Sequence, residues 1–165
     1  ASDVYKRQDR NNPLLPHLKS YLLYLAGLKK PKLLEEWHMV HLELYRKKVG
    51  EQSKVIERTA TTFTLSGLKV AIAYSPSLIS SSQAADLLLD KTGAQIAIVV
   101  KEEGTGSVRR RGTEADISKI AKVFGGGGHP YAAGMKLREG KITPEEYPEV
   151  VKWIKEKIAR LELEE

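Results

Sequence analysis

Four consecutive glycines, Gly125 to Gly128, run directly into His129. Glycine loses more backbone freedom on folding than any other residue, so the run must do something that side chains would prevent. A backbone without Cβ atoms lets an anion come close, and His129 can donate to a phosphate oxygen from either ring nitrogen. Gly125 stands where a left-handed residue is expected after a helix ending near Phe124. Pro130 suits the first position of a new short helix. On that reading Gly126, Gly127, Gly128 and His129 bridge a helix end to a helix start. The bare N–H groups and partial positive charge of the new helix would then receive phosphate. The local sequence leaves a second reading about equally open, in which His129 only caps the helix and the glycines make a tight turn. The run is neither a Walker loop nor a dinucleotide fingerprint.

Arg109, Arg110 and Arg111 add weight to the phosphate reading. On a strand they alternate, so Arg109 and Arg111 share one side and Arg110 takes the other. The planar guanidinium fork suits bidentate phosphate binding. Taken alone, such a run reads more simply as a charged edge strand that resists aggregation. The other candidate ligands are His38 and His41, three apart on a helical stretch with Glu35, Glu36 and Glu43 nearby. That spacing can bind metal, but packing or surface roles are commoner for such histidines, and no metal is assigned to this chain. It has no cysteine, which excludes disulfides, thiolate metal sites and thiol catalysis.

The elements that must position these residues follow from periodicity. Residues 33–59 form one long helix, with Leu33, Leu34, Trp37, Val40, Leu44, Val49, Val55 and Ile56 near helical spacing and Gly50 as a place to bend. "TTFTL", Ser66-Gly67 and "LKVAIAY" read as a β-hairpin. Ser80 and Gln83 have capping-box spacing ahead of "QAADLLLDKT", and Gly93 ends that helix. "AQIAIVV" is a strand buried on both faces, and "SVRRR" pairs back against it. Asp116 caps "ISKIAKVF", "MKLRE" is one more strand, and a final helix starts near Pro144 with Tyr147, Val150, Val151, Ile154 and Ile158 as its stripe.

This alternation predicts an α/β fold, a mixed β-sheet covered by helices and preceded by a long inter-domain helix. Residues 1–8 read as a tail foreign to the fold. Residues 9–60 hold a connector, with Pro13, Pro16 and Pro31, and the long helix. Residues 61–165 form the α/β domain. The 165 residues carry a net charge of +6 and a pI near 9.4, a balance that favours anionic partners or simply solubility. The polar start lacks the apolar core of a signal peptide, and no apolar run is long enough to span a bilayer. Both fit a cytoplasmic protein with no membrane partner. A start at Ala1 rather than Met reads as a fragment or a processed product.

"GSVRRRG" followed by "DISKIAKVFGGGGHPYAAG" resembles the C-terminal substrate-binding domain of DHH-family phosphoesterases, which include RecJ-like exonucleases and nanoRNases. The resemblance is best over residues 68–140. It implies that Gly126, Gly127, Gly128 and His129 hold substrate phosphate and that Arg109 contacts the nucleotide; Arg111, on the same side of the strand by alternation, is a further substrate-binding candidate. The family often has serine after that arginine, and Arg110 stands there instead. Ala132, Ala133 and Gly134 would let the loop sit close to the sheet. The family's catalytic half carries an Asp-His-His motif and two manganese-type ions that would generate a hydroxide nucleophile. Of Asp3, Asp9, Asp86, Asp90 and Asp116 none adjoins a histidine pair.

The resemblance therefore implies the nucleotide- or oligonucleotide-binding half of a metal-dependent phosphodiesterase. The catalytic residues and their partner domain would lie outside this chain, which alone would be inactive, and a homodimer is an open assembly. A related domain ends alanyl-tRNA synthetases, so a stand-alone tRNA-type binding module is the alternative. A purely structural or dimerising domain is a third.

Overall fold

Ser66 and Gly67 take positive φ, 52° and 78°, the pair of left-handed residues that a tight two-residue hairpin requires. They join β1 (Thr61–Leu65) to β2 (Leu68–Ser75). The computed structural model that shows this turn describes Tyr24, Gly27 and residues 31–163. The tail at 1–8 and nearly all of the connector at 11–32 lie outside the described residues. The chain divides into two compact units, Ala1–Gln52 and Ser53–Glu165. A 29-residue helix, α1 (Pro31–Thr59), contains the boundary.

In the first unit the Trp37 and His41 rings meet at a 40° tilt, with centroids 3.6 Å apart. Burial lowers the His41 pKa. Among the described residues no group of three or more histidine, aspartate or glutamate side chains is placed to hold a metal.

The second unit is a six-stranded sheet in the order β1-β2-β3-β4-β6-β5. Its further strands are β3 (Ile96–Lys101), β4 (Thr105–Arg110), β5 (Gly127–His129) and β6 (Ala132–Lys136). Only β2 and β3 run parallel. Their crossover is α2 (Ser81–Thr92), opened by the Ser80 hydroxyl, which accepts from the Gln83 N–H, and closed by left-handed Gly93. All six residues of β3 are buried, because both faces of this central strand are covered.

The two faces carry separate cores. On one, Ala71, Ala73, Ala97 and Val99 pack with Ile56, Ala84, Ala85 and Leu88 under α2. On the other, Ile72, Ile98, Val108, Ala133 and Met135 pack with α3 (Ser118–Val123) and α4 (Tyr147–Ile158). Tyr74 and Tyr147 meet edge-on at 5.6 Å in this second core. Burial pushes the Tyr74 hydroxyl up to about 12 and the Tyr147 hydroxyl higher still.

The expected α/β fold and mixed sheet are found, and three local expectations change. The last helix begins at Tyr147 rather than near Pro144, because Thr143 accepts from the Glu146 N–H and holds residues 143–146 as a turn. The strand expected at "MKLRE" begins at Ala132 and ends at Lys136. The helix expected after Pro130 does not form, and this last difference reshapes the site.

Candidate functional site

The four glycines serve three separate purposes. Gly125, at φ +78°, ends α3 in a Schellman turn, donating to the Lys122 carbonyl at 3.0 Å while Gly126 donates to that of Ala121 at 2.9 Å. Gly127 to His129 then form β5, paired antiparallel with β6 as Gly127↔Gly134, Gly128↔Ala133 and His129↔Ala132. Pro130 and Tyr131 are the two-residue turn of this hairpin. The expected bridge from helix end to helix start is thus replaced by an edge strand. Proline's fixed φ serves a turn as well as a first helical turn, and here it serves the turn. The N–H donors near the run belong to a sheet edge, where alternate groups stay unpaired, and not to a helix N-terminus.

A Cβ on Gly126 would lie 2.2 Å from the Gly134 oxygen and 2.8 Å from the Met135 Cα. One on Gly128, whose φ is +149°, would lie 2.7 Å from both the Ala132 oxygen and the Ala133 Cα. Both contacts are with backbone and leave no room for a side chain. Gly127 differs: a Cβ there would meet nothing within 4 Å. Its neighbours dictate the hairpin, while Gly127 faces open space.

Register shows what shares that open face. Ala97 pairs with Arg109, Arg109 with Ala132 and Ala132 with His129, so these four form one cross-strand row. The next row is Val99, Ser107, Gly134 and Gly127. Directly opposed residues point to the same side, and Ala97 and Val99 point to the α2 side. The α2 helix lies over β2 and β3, with its edge reaching β4. β6 and β5 extend past it. Among the described residues no element covers them there, which leaves a patch with a floor of Ser107, Ala132, Gly134 and Gly127. Arg109 and His129 stand at either side of Ala132, about 10 Å apart by strand spacing.

The side chains of Arg109, Ser107 and His129 make no hydrogen bond or ion pair with any described residue. His129 does stack on Tyr131, with ring centroids 5.2 Å apart and planes 6° from parallel. Lys136, across from Thr105 at the far end of the patch, is paired with Glu139 at 2.6 Å.

The other two arginines are engaged. Arg111 shares the α2 side with Arg109, as alternation predicts, and is bound by Asp90 and, at 3.2 Å, by Asp86. The hydrogen bond it donates to Asp90 foremost raises its guanidinium pKa. Arg110 points to the opposite face, donating to the Ala115 carbonyl at 2.7 Å and lying 3.6 Å from Glu114, so it braces the loop before α3. Asp116, two residues ahead of that helix's first residue, accepts from the Ser118 N–H at 3.1 Å and hydroxyl at 2.6 Å, while Ile117 holds the cap position itself. The Ser118 hydroxyl foremost lowers the Asp116 pKa. Ser107 is a candidate site residue absent from the sequence-based set. Its signal is nonetheless there, because a residue two before Arg109 on a strand shares its side.

A family model described as DHHA1 domain matches residues 67–160, more than half of the chain. The chain belongs to the DHHA1 domain family. The resemblance carried by "GSVRRRG" and "GGGGHPYAAG" therefore holds as a family assignment, and the DHHA1 model spans all of the patch. No match is found among curated proteins. An exopolyphosphatase-related protein from Bacteroides fragilis superposes with a TM-score of 0.52 at 18% identity, over 93% of this chain and 46% of that one. A pGpG-specific phosphodiesterase, PggH from Vibrio cholerae, gives 0.47 at 18% identity over 76% and 42%. The exonuclease RecJ, in a structure bound to manganese, gives 0.45 at 16% over 81% and 33%. This DHHA1 chain spans less than half the length of each. The described residues do not fit a metal centre of their own, since no three metal-binding side chains converge. No helix among them is long and apolar enough to cross a membrane.

Proposed function

We propose that this DHHA1 domain is the substrate-binding part of a DHH-type phosphodiesterase and holds the phosphate of a nucleotide or short oligonucleotide on the patch. The observation that carries the reading is the placement of Arg109 and His129 in one cross-strand row, on either side of Ala132. Two donors that bond to no described residue flank a floor of Ser107, Ala132, Gly134 and Gly127 on the uncovered side of the sheet. Unpaired guanidinium on a surface this basic attracts anions, and its fork matches phosphate geometry. The floor is small enough for a ligand to rest on backbone. Gly126 and Gly128 act indirectly, by holding β5 tight against β6, while Gly127 and His129 face the ligand. Bond cleavage is assigned to residues outside this chain, whose sequence has no Asp-His-His run.

Calorimetric titration with a 5′-phosphorylated dinucleotide should show one site. A contact with one or two phosphates gives a slope of log K against log salt of about −1 to −2. Incubation with manganese should leave the dinucleotide intact. A steep slope spanning many phosphates, with longer RNA preferred, would mark a tRNA-type module instead. Hydrolysis that stops on chelation would place catalytic residues in this chain, and absence of any binding would refute the proposal.

A further inference from the structure

The patch has a feature that phosphate binding does not use. Tyr131 occupies the second position of the Pro130-Tyr131 turn, is 55% exposed, and lies flat against the His129 ring. A large aromatic left in solvent at a hairpin tip forgoes the burial that usually favours it. The turn is also held. Proline fixes one of its dihedrals, and the Pro130 carbonyl accepts from the Ile117 N–H at 2.9 Å, anchoring the tip to the start of α3. His129 covers one face of the tyrosine ring, and the exposure leaves ring surface for a second partner.

We infer that Tyr131 is a stacking platform for a nucleobase, and that the patch selects base-bearing phosphates over base-free ones. The inference rests on the phosphate reading and deepens it, because His129 belongs to both parts. A ligand phosphate between Arg109 and His129 places its attached nucleoside within reach of the ring that lies on His129. Any base can stack on an aromatic face without its edges being read, so the subsite recognises nucleotides as a class. Polyphosphate and pyrophosphate have no ring to place there and would be held by Arg109 and His129 alone. Because the turn is anchored before the ligand arrives, little ordering cost falls on binding.

The test compares uridine 5′-monophosphate, adenosine 5′-monophosphate and ribose 5-phosphate in calorimetric titrations of the whole chain. Both nucleotides should bind about 10-fold or more tighter than ribose 5-phosphate, the size expected for one base on one aromatic ring. Tyr131→Ala should bring the nucleotides down to the ribose 5-phosphate affinity and leave ribose 5-phosphate unchanged, while Tyr131→Trp should retain the preference. In proton spectra of the complex the base protons should move upfield with wild type and not with Tyr131→Ala. Tyr131 is exposed on a turn, so its loss removes no core, and an unchanged Tm checks this. If Tyr131→Ala leaves nucleotide affinity intact while Arg109→Ala weakens every ligand, the base platform is wrong and the phosphate site stands. If Arg109→Ala changes nothing either, the phosphate reading falls with it.

Discussion

Gly126→Ala is expected to lower the melting temperature by about 10–25 °C, from an overpacking cost of about 3 kcal/mol. The added methyl would sit 2.2 Å from the Gly134 oxygen and 2.8 Å from the Met135 Cα. Neither neighbour can give way, because β6 is hydrogen-bonded to β4 on one side and to β5 on the other. Relief requires peeling β5 from the sheet, which also breaks the Schellman turn that ends α3. Gly127→Ala makes the contrast. Its methyl meets nothing within 4 Å, so the change in stability should stay within about 0.5 kcal/mol. It should nonetheless weaken ligand binding by covering the floor. Thermal unfolding by circular dichroism compares the two variants directly. Equal melting temperatures would mean that the hairpin is not packed as described.

Arg109→Ala should weaken binding of a 5′-phosphorylated dinucleotide by about 10–100-fold, the loss expected for a charge-assisted hydrogen-bonding pair. The fold should be unaffected, because the guanidinium bonds to no described residue. Arg111→Ala should change affinity by less than about threefold, since one fewer positive charge acts only at a distance across screened solvent. Its guanidinium is already held by Asp86 and Asp90, so its removal loosens α2 from the end of β4 instead. Calorimetric titration of both variants separates them. Equal losses would mean that Arg111 leaves its aspartates when ligand arrives.

Much of this scaffold is legible in the sequence. Ser66-Gly67 between two alternating runs marks a hairpin turn, Ser80 with Gln83 opens a helix, and the apolar run of β3 demands cover on both faces. Strand alternation alone puts Arg109 and Arg111 on one side. The glycine run is harder, because glycine is permissive and four of them constrain nothing locally. What decides their conformation is β6, and "AAGMK" shows little strand propensity of its own. Its first three residues are small, and β5 lies close against their backbone. Small residues therefore hide the strand that most shapes the site. Proline hides the turn in the same way, since one φ value suits two structures. Arg111 is legible as a cation on the correct face. Its two carboxylate partners, one helical turn apart on α2, are not, because their meeting depends on how α2 crosses the sheet.

Phosphate is expected on the open row from Arg109 to His129, with the Ser107–Gly134–Gly127 row beside it. The direct measurement is an amide chemical-shift map of the chain titrated with a 5′-phosphorylated dinucleotide. The largest shifts should fall at Gly127, Gly128, His129, Ala132, Gly134 and Arg109. The groove lined by Ile142, Glu149 and Trp153 on α4's side of the molecule should stay unmoved. Shifts centred on that groove, or spread evenly over the basic surface with none at Gly127 and His129, would mean that phosphate does not bind on this row.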